Sequence, residues 1–355
     1  MSILSLYLSF LPGMNFFGLD IGSSSLKLVE LRGDRNKTRS LQLFAASQLS
    51  RTVDIPTASD EDLKDLATVV KEFVDSYLLL SKKVVVALPE SQIFTRVVNF
   101  PKMTEKELSG AIPFEAQQYV PIPLSEVSLD YQIIESLSST DNQMEVLIIA
   151  APKTLVVKYL KVLKDASLEV IGLETETIAV ARSLISDPRI PTTLIVNIGA
   201  LTTDLSVVSA QAVRFTRSIA TGGTALARAI SQTLGFDLAQ SEEYKKTYGF
   251  DATQLEGKVM QAIKPIFDVV VDEIKRSTAY YNTRHKDDNV KRIVICGGTA
   301  SIPGTVVYLA SSLDLEVELG NPWSRIGVPS KFSKKELEEN GPSFAVAVGL
   351  ALKEI

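Results

Sequence analysis

Short apolar runs broken by Gly, Pro and hydroxyl residues alternate along this chain with longer amphipathic stretches, the pattern of an α/β protein. Residues 17–31, FGLDIGSSSLKLVEL, read as two strands joined by a Gly-Ser turn, and Leu41–Leu49 as a third strand. Ser59–Leu80 reads as a helix: Ser59 caps it, and Leu63, Leu66, Val70, Phe73, Val74 and Tyr77 recur at helical spacing. VVVALP and QIFTRVVNF are strands closed by Pro89 and Pro101. Thr104 with Glu107 forms a capping box on a helix that Pro113 is expected to kink or divide. Beyond the loop Val120–Pro123 lie two strands with a polar tip at 138–143, a helix at Lys153–Ala166 and a strand at Glu169–Leu173. Glu174–Ser186 reads as a helix linking two halves. The second half holds a hairpin at 194–208, a strand from 211, and helices at Thr224–Leu234, from Ser241, at Lys258–Arg284, at 305–312 and at Phe344–Lys353.

Candidate chemistry sits in the turns. Gly22 permits a tight backbone, and Ser23, Ser24 and Ser25 add short hydroxyls, so the first turn presents N–H and O–H groups to phosphate oxygens. Lys27 follows within reach of the same phosphate. Asp20 suits a Mg²⁺ held through water, because Mg²⁺ keeps several waters and takes few carboxylates. An ordinary hairpin with a solvated turn is the alternative reading of this stretch. The pattern returns in LIVNIGALTTDLSVV, where Asn197, Gly199, Thr202 and Thr203 lie in and around a second small, hydroxyl-rich turn. One such hairpin in each half implies a duplicated fold with a ligand clasped between the halves. A third turn, IVICGGTASIPG at 293–304, places Gly297, Gly298 and Ile302 between a strand and a helix, where a base and sugar could rest. Gly222 and Gly223, at the head of the helix 224–234, form a candidate second anion seat.

At 355 residues the chain is long enough for two or more domains with cores of their own. Its net charge of −5, without a basic stripe, argues against a nucleic-acid partner. One Cys (Cys296) and one His (His285) exclude a disulfide framework and a His/Cys metal site, and make the cytoplasm the expected compartment. Residues 3–11, ILSLYLSFL, are too short to span a bilayer and lack the basic flank of a signal peptide. A short docked or disordered lead-in is the expectation there; an interfacial helix and a true start at Met14 are the alternatives.

The three turns, in this order, resemble the phosphate-1, phosphate-2 and adenosine motifs of the actin-like ATPase superfamily. GLDIGSSSLKLVEL, NFPKMTEKELSGAIPFEAQQYVPIPLSEVSLDYQII (99–134) and PSFAVAVGLAL (342–352) further resemble its FtsA-like branch and, within that, the PilM family of type IV pilus assembly proteins. The resemblance covers nearly everything after Met14. It implies an actin-like ATPase fold of class α/β: two duplicated RNase H-like domains around a nucleotide cleft, with an inserted subdomain 1C. The implied division is 1A at 1–81, 1C at 82–171, the connecting helix of 1A at 172–191, 2A at 192–213, 2B at 214–290, 2A again at 291–325, and a return to 1A at 326–355.

The same resemblance implies ATP with Mg²⁺, Asp20 serving the metal, Asp204 near the metal or water, and Glu176 orienting the attacking water. An acid that complements the helix dipole is an equal reading of Glu176, and of Glu174 beside it. Ser241-Glu242-Glu243-Tyr244-Lys245 resembles an Ala-Glu-x-x-Lys pattern in which the Glu reaches the ribose and the Lys lies along the adenine. Asn197 departs from the family's usual Asp; an amide adds no negative charge and cannot act as a base. Slow turnover at best is therefore expected. The implied role is an ATP-binding scaffold of the inner-membrane pilus assembly complex. It would be peripheral to the membrane through the N-terminal cytoplasmic peptide of PilN, received between 1A and 1C around 104–119 and Val120–Pro123. Other pilus assembly proteins and a second copy of the chain are further candidate partners. Two alternatives stand: an FtsA- or MreB-like filament-forming ATPase, and a small-molecule kinase, for which no extra Asp base stands out.

Overall fold

A computed structural model describes residues 15–33, 38–134 and 142–354 of the chain. The lead-in at 3–11 and most of the polar tip at 138–143 lie outside the described residues. The first half runs β1 (Phe17–Ile21), β2 (Ser25–Arg32), β3 (Ser40–Gln48), α1 (Asp60–Asp75), β4 (Lys83–Leu88), β5 (Phe94–Pro101), α2 (Glu105–Ala116), β6 (Val127–Ile134), β7 (Gln143–Pro152), α3 (Lys153–Asp165), β8 (Glu169–Thr175) and α4 (Glu176–Leu184). The second half runs β9 (Thr193–Ile198), β10 (Thr203–Ser209), β11 (Ala212–Ile219), α5 (Gly223–Leu234), α6 (Leu238–Tyr248), α7 (Lys258–Arg284), β12 (Arg292–Cys296), α8 (Thr305–Leu313), β13 (Glu316–Leu319), α9 (Lys334–Asn340) and α10 (Ala345–Ala351).

Two five-stranded sheets share one topology. Their orders are β3-β2-β1-β4-β8 and β11-β10-β9-β12-β13. In each, the central strand pairs antiparallel on its hairpin side and parallel on the other. The duplication expected from the two turns is thus a duplication of whole sheets. A third, antiparallel sheet, β5-β7-β6, stands beside them with α2 and a small core of Phe100, Leu108, Ile112, Ala116, Val146 and Ile148.

Several boundaries differ from the expectation. Within 82–171, β4 and β8 are strands of the first large sheet and α3 packs on α1, so the part that stands apart is 94–152. Helix α1 stops at Asp75, not Leu80, and the amide of Leu80 instead donates to the buried Glu30 carboxylate at 2.8 Å. Pro113 does not divide α2: it lies in the last turn, where losing one N–H costs a single bond to the Ser109 carbonyl. Glu174 belongs to the end of β8, and α4 begins at Glu176 behind the cap Thr175. Helix α6 starts at Leu238 behind the cap Asp237, so Ser241 lies in its first turn.

The C-terminal helix α10 closes the first domain. Its small residues let it lie against β1 and α4 at backbone distance: a Cβ on Gly349 would stand 1.8 Å from the Ala179 carbonyl oxygen, and one on Gly18 would stand 2.4 Å from that of Ala347.

Candidate functional site

In both hairpins the glycine that ends the strand donates its amide across the turn, Gly22 to the Ser25 carbonyl at 3.0 Å and Gly199 to that of Thr202 at 2.9 Å. The carbonyls of Ser23 and Ser24 are held by the amides of Val53 and Leu49 at 2.8 and 2.9 Å. By contrast, the amides of Ser23, Ser24, Ala200 and Leu201 reach no acceptor among the described residues. Each turn is anchored through its backbone while four N–H groups stay unspent, an arrangement suited to an anion.

Below the turns lie the acids. Asp20 is buried, with Lys27 Nζ 3.5 Å away, and Lys27 also donates to Ser25 Oγ at 2.9 Å. Burial raises the Asp20 carboxyl above its ordinary pKa, and Lys27 only partly offsets this. Asp204 is buried, accepts from the Thr202 hydroxyl at 3.2 Å and from Ser218, and is pushed up to about 7 by burial. Glu176, the first residue of α4, is raised well above the ordinary glutamate range, first by burial and then by the charges of Asp204, Asp20 and Glu90. Those neighbours make it part of the acid cluster, where helix-dipole complementarity alone would have lowered it. Tyr159 is buried against the same group.

Glu90 was not singled out from sequence. It follows β4, where Pro89 read simply as a strand stop, and it is 4 % exposed, accepting from the Thr177 hydroxyl at 2.7 Å. Burial lifts its pKa as well. A carboxylate just beyond the C-terminal end of a parallel strand is where ligands gather in α/β sheets, and that was the available signal. Among the described residues no three His, Cys, Asp or Glu side chains converge closely enough to ligate an ion directly. Four acids with raised pKa values around one lysine nevertheless form a site short of positive charge, which a hydrated cation fits.

The remaining predicted residues divide. Gly298 is exposed, and a Cβ there would meet nothing within 4 Å. Gly297 adopts φ +90° with its Cβ position 2.5 Å from the Ile198 carbonyl oxygen and 2.7 Å from Asn197 Oδ1, so glycine is required. Asn197 lies opposite Asp204 across the β9–β10 ladder. Lys245 is buried and donates to Glu242 at 2.7 Å and to the Gly223 carbonyl at 3.0 Å, so it ties the two expected α6 residues to each other and to the head of α5. Other members serve the scaffold. Gly222 and Gly223 are not an open anion seat: the amides of Gly223 and Thr224 donate to the carbonyls of Gly199 and Ala200, both at 2.9 Å. The glycines are there for close approach, since a Cβ on Gly223 would stand 2.3 Å from Thr299 Oγ1. The Thr203 hydroxyl is spent on the Thr221 carbonyl at 2.7 Å, Ser25 is buried, and Ile302 packs in the second core.

A separate cavity of about 680 Å³ opens away from the turns, between β6 and β7 on one side and β8, α4 and the chain end on the other. Asp130, Glu174, Arg182, Arg325 and Lys353 line it. Burial alone would raise Glu174, but Arg182 and Lys353, at 2.6 and 2.7 Å, outweigh it and hold the carboxyl below its ordinary value. Neither α2 nor Val120–Pro123, the surface expected for a peptide, lines this cavity. Among the described residues no helix is long and apolar enough to cross a membrane.

Comparison with known proteins agrees with this geometry. The solved PilM-PilN type IV pilus biogenesis complex contains a chain 29% identical to this one with a TM-score of 0.81, covering 96% of this chain and 98% of that one. The ethanolamine utilization protein EutJ from Carboxydothermus hydrogenoformans matches with a TM-score of 0.57 at 18% identity, over 96% and 90% of the two chains. MreB5 of Spiroplasma citri, solved with ADP, matches with a TM-score of 0.51 at 16% identity, over 94% of each. These likenesses make the fold that of the actin-like ATPases. Among curated proteins, the cell division protein FtsA of Neisseria meningitidis serogroup B is 27% identical over 181 residues, 44% of this chain and 41% of FtsA, so the match spans less than half of that relative. A family profile described as type IV pilus assembly protein PilM matches residues 18–355, from the first strand to the last residue, and the chain therefore belongs to the PilM family.

Proposed function

We propose that this protein is an ATP-binding scaffold of type IV pilus assembly, loaded with Mg-ATP in the cleft between its two duplicated sheets. The observation that carries this reading is the pair of matched turns, whose unspent amides at Ser23, Ser24, Ala200 and Leu201 lie above a cluster of four carboxylates. Phosphate oxygens take these amides, the serine hydroxyls and Lys27, while the base and sugar lie over Gly298 with Glu242 and Lys245 alongside. Asp20 holds Mg²⁺ through water; the ion supplies the positive charge that phosphate oxygens and acids otherwise lack. Asn197 adds no negative charge and cannot act as a base, so the site has one carboxylate fewer for the metal and the attacking water. The residues therefore favour binding over hydrolysis. Titration of a fluorescent ATP analogue against wild type and Gly298→Glu tests the site; equal affinity in both would refute it.

The partner proposed for the cavity beside β8 is a PilN-type N-terminal peptide, on the strength of the PilM-PilN relative at 29% identity. Strand β6 is an edge of the small sheet, with β7 as its one sheet neighbour among the described residues, so its outer backbone edge can pair with an extended peptide. Arg182, Arg325, Lys353, Asp130 and Glu174 offer charges of both signs to its side chains. Bound there, the protein lies in the cytoplasm, peripheral to the inner membrane through its partner.

A further inference from the structure

A cavity of about 430 Å³ lies between the small sheet and the second domain, walled by β5 and β7 on one side and by β11 and the end of α7 on the other. It shares no residue with the nucleotide turns. Its charge balance is unusual for a chain of net charge −5: Arg96, Arg214 and Arg284 surround a single carboxylate, Glu145. That carboxylate is engaged by Arg214, which is buried across the domain boundary. Arg96 and Arg284 make no ion pair among the described residues. Each instead lies 3.8 Å over a tyrosine ring: Arg284 over Tyr280 within this cavity, and Arg96, at the rim shared with the neighbouring cavity, over Tyr119. Stacking fixes the guanidinium plane and leaves its N–H edge unspent, which is how arginine is prepared for a bidentate oxyanion.

The geometry points to a second small-molecule site here, for a phosphorylated ligand that carries a planar ring, such as a nucleoside monophosphate. Two unspent guanidiniums match the charge of about −1.5 to −2 on a phosphomonoester better than that of one carboxylate. Phe215 and Tyr280, with ring centroids 5.4 Å apart and planes inclined by 38°, supply aromatic surface beside Arg284. The cavity volume falls within the range of small-molecule pockets, roughly 300–1,000 Å³. A ligand in this place touches both the small sheet and the second domain, beside the Arg214–Glu145 pair that already joins them.

Calorimetric titration of GMP into the full chain tests the assignment, with saturating Mg-ATP present to fill the cleft. GMP should bind wild type, inorganic pyrophosphate should bind more weakly because it lacks the ring, and Arg284→Ala should weaken GMP at least tenfold. Arg284→Lys, which keeps the charge but not the fork, should recover only part of the loss. ATP affinity should be the same in all three proteins. Absence of GMP binding to wild type, unchanged GMP affinity in Arg284→Ala, or full recovery by lysine would each overturn the proposal. A parallel loss of ATP binding in Arg284→Ala would count against it too, by tracing the effect to the fold.

Discussion

Asp20 and Asn197 hold the same position in two equivalent hairpins, but Asp20 lies opposite Lys27 whereas Asn197 lies opposite Asp204. The first hairpin can therefore carry a carboxylate there, and the second carries an amide. An aspartate at 197 would face Asp204 directly across an antiparallel ladder, where like charges destabilise. Asn197→Asp is accordingly expected to have two effects of opposite kind. Without Mg²⁺ its melting temperature should fall by about 1–2 °C, which is what a loss of about 1 kcal/mol causes in a chain of this length. With Mg-ATP, phosphate release should rise several-fold if the missing carboxylate limits turnover. An unchanged rate in a malachite-green assay would move the slow step to cleft closure or to Glu176.

Gly298 separates a ligand effect from a folding effect. Because a Cβ there meets nothing within 4 Å, Gly298→Glu should fold normally and melt within a degree or two of wild type. Its ATP affinity should nevertheless drop at least about tenfold, or roughly 1.4 kcal/mol. Gly297→Ala is the contrasting variant: its positive φ and its 2.5 Å approach to the Ile198 carbonyl should cost stability directly. Paired melts and titrations on the two variants check this; a Gly298→Glu protein that binds ATP normally would place the base elsewhere.

What was legible in the sequence was local. Gly22 and Gly199 announce their turns because a tight turn needs them, and α/β alternation gives most strands. Ser59 announces its helix as a cap and Thr104 through a capping box; the structure contains both, and adds a box at Ser59 through Asp62. What was not legible depends on contacts between distant segments. Glu90 joins Glu176 only because β4 and β8 are neighbours, a pairing no local pattern declares. Gly222 and Gly223 read as an anion seat, yet their helix start is packed onto Gly199 and Ala200, which takes the amides of Gly223 and Thr224 out of play. Glu174 and Glu176 look alike in ETE, but the end of β8 sends one to Arg182 and the other to the acid cluster.

The small sheet offers a clean excision. Its first and last strands start and finish together, Phe94 opposite Ala150, so the chain enters and leaves 94–152 at neighbouring points. Replacing that segment with a short Gly-Ser linker should spare both large sheets and ATP binding. Removing 82–169 would instead take β4 from the middle of the first sheet and unfold it. Fluorescence anisotropy with a PilN N-terminal peptide should show at least a tenfold loss of affinity in the shorter deletion, about 1.4 kcal/mol. Retained affinity in a deletion that still binds ATP would rule out the small sheet as a wall of the docking groove.

The acid cluster also predicts how stability varies with pH. An aspartate in the unfolded chain titrates near about 4, whereas Asp204 in the folded protein titrates at about 7. Between those values the folded state binds more protons than the unfolded one, so unfolding free energy falls as pH rises. The stabilisation from neutral Asp204 is complete below about pH 4 and lost on passing through about pH 7; Asp20, Glu90 and Glu176 shift the same way. Asp62 and Asp75 work in the opposite sense, their pKa values lowered to about 2, but they lose their contribution only below about pH 4. A window from pH 5 to pH 8 therefore isolates the buried acids. Thermal melts of the nucleotide-free, Mg-free protein should show the melting temperature falling across that window. Asp204→Asn cannot ionise and still offers a carbonyl to Ser218, so its decline should be visibly shallower and the two curves should draw together, or cross, toward pH 8. Parallel curves for wild type and variant would mean that Asp204 ionises at its ordinary pH and that the cluster is open to water.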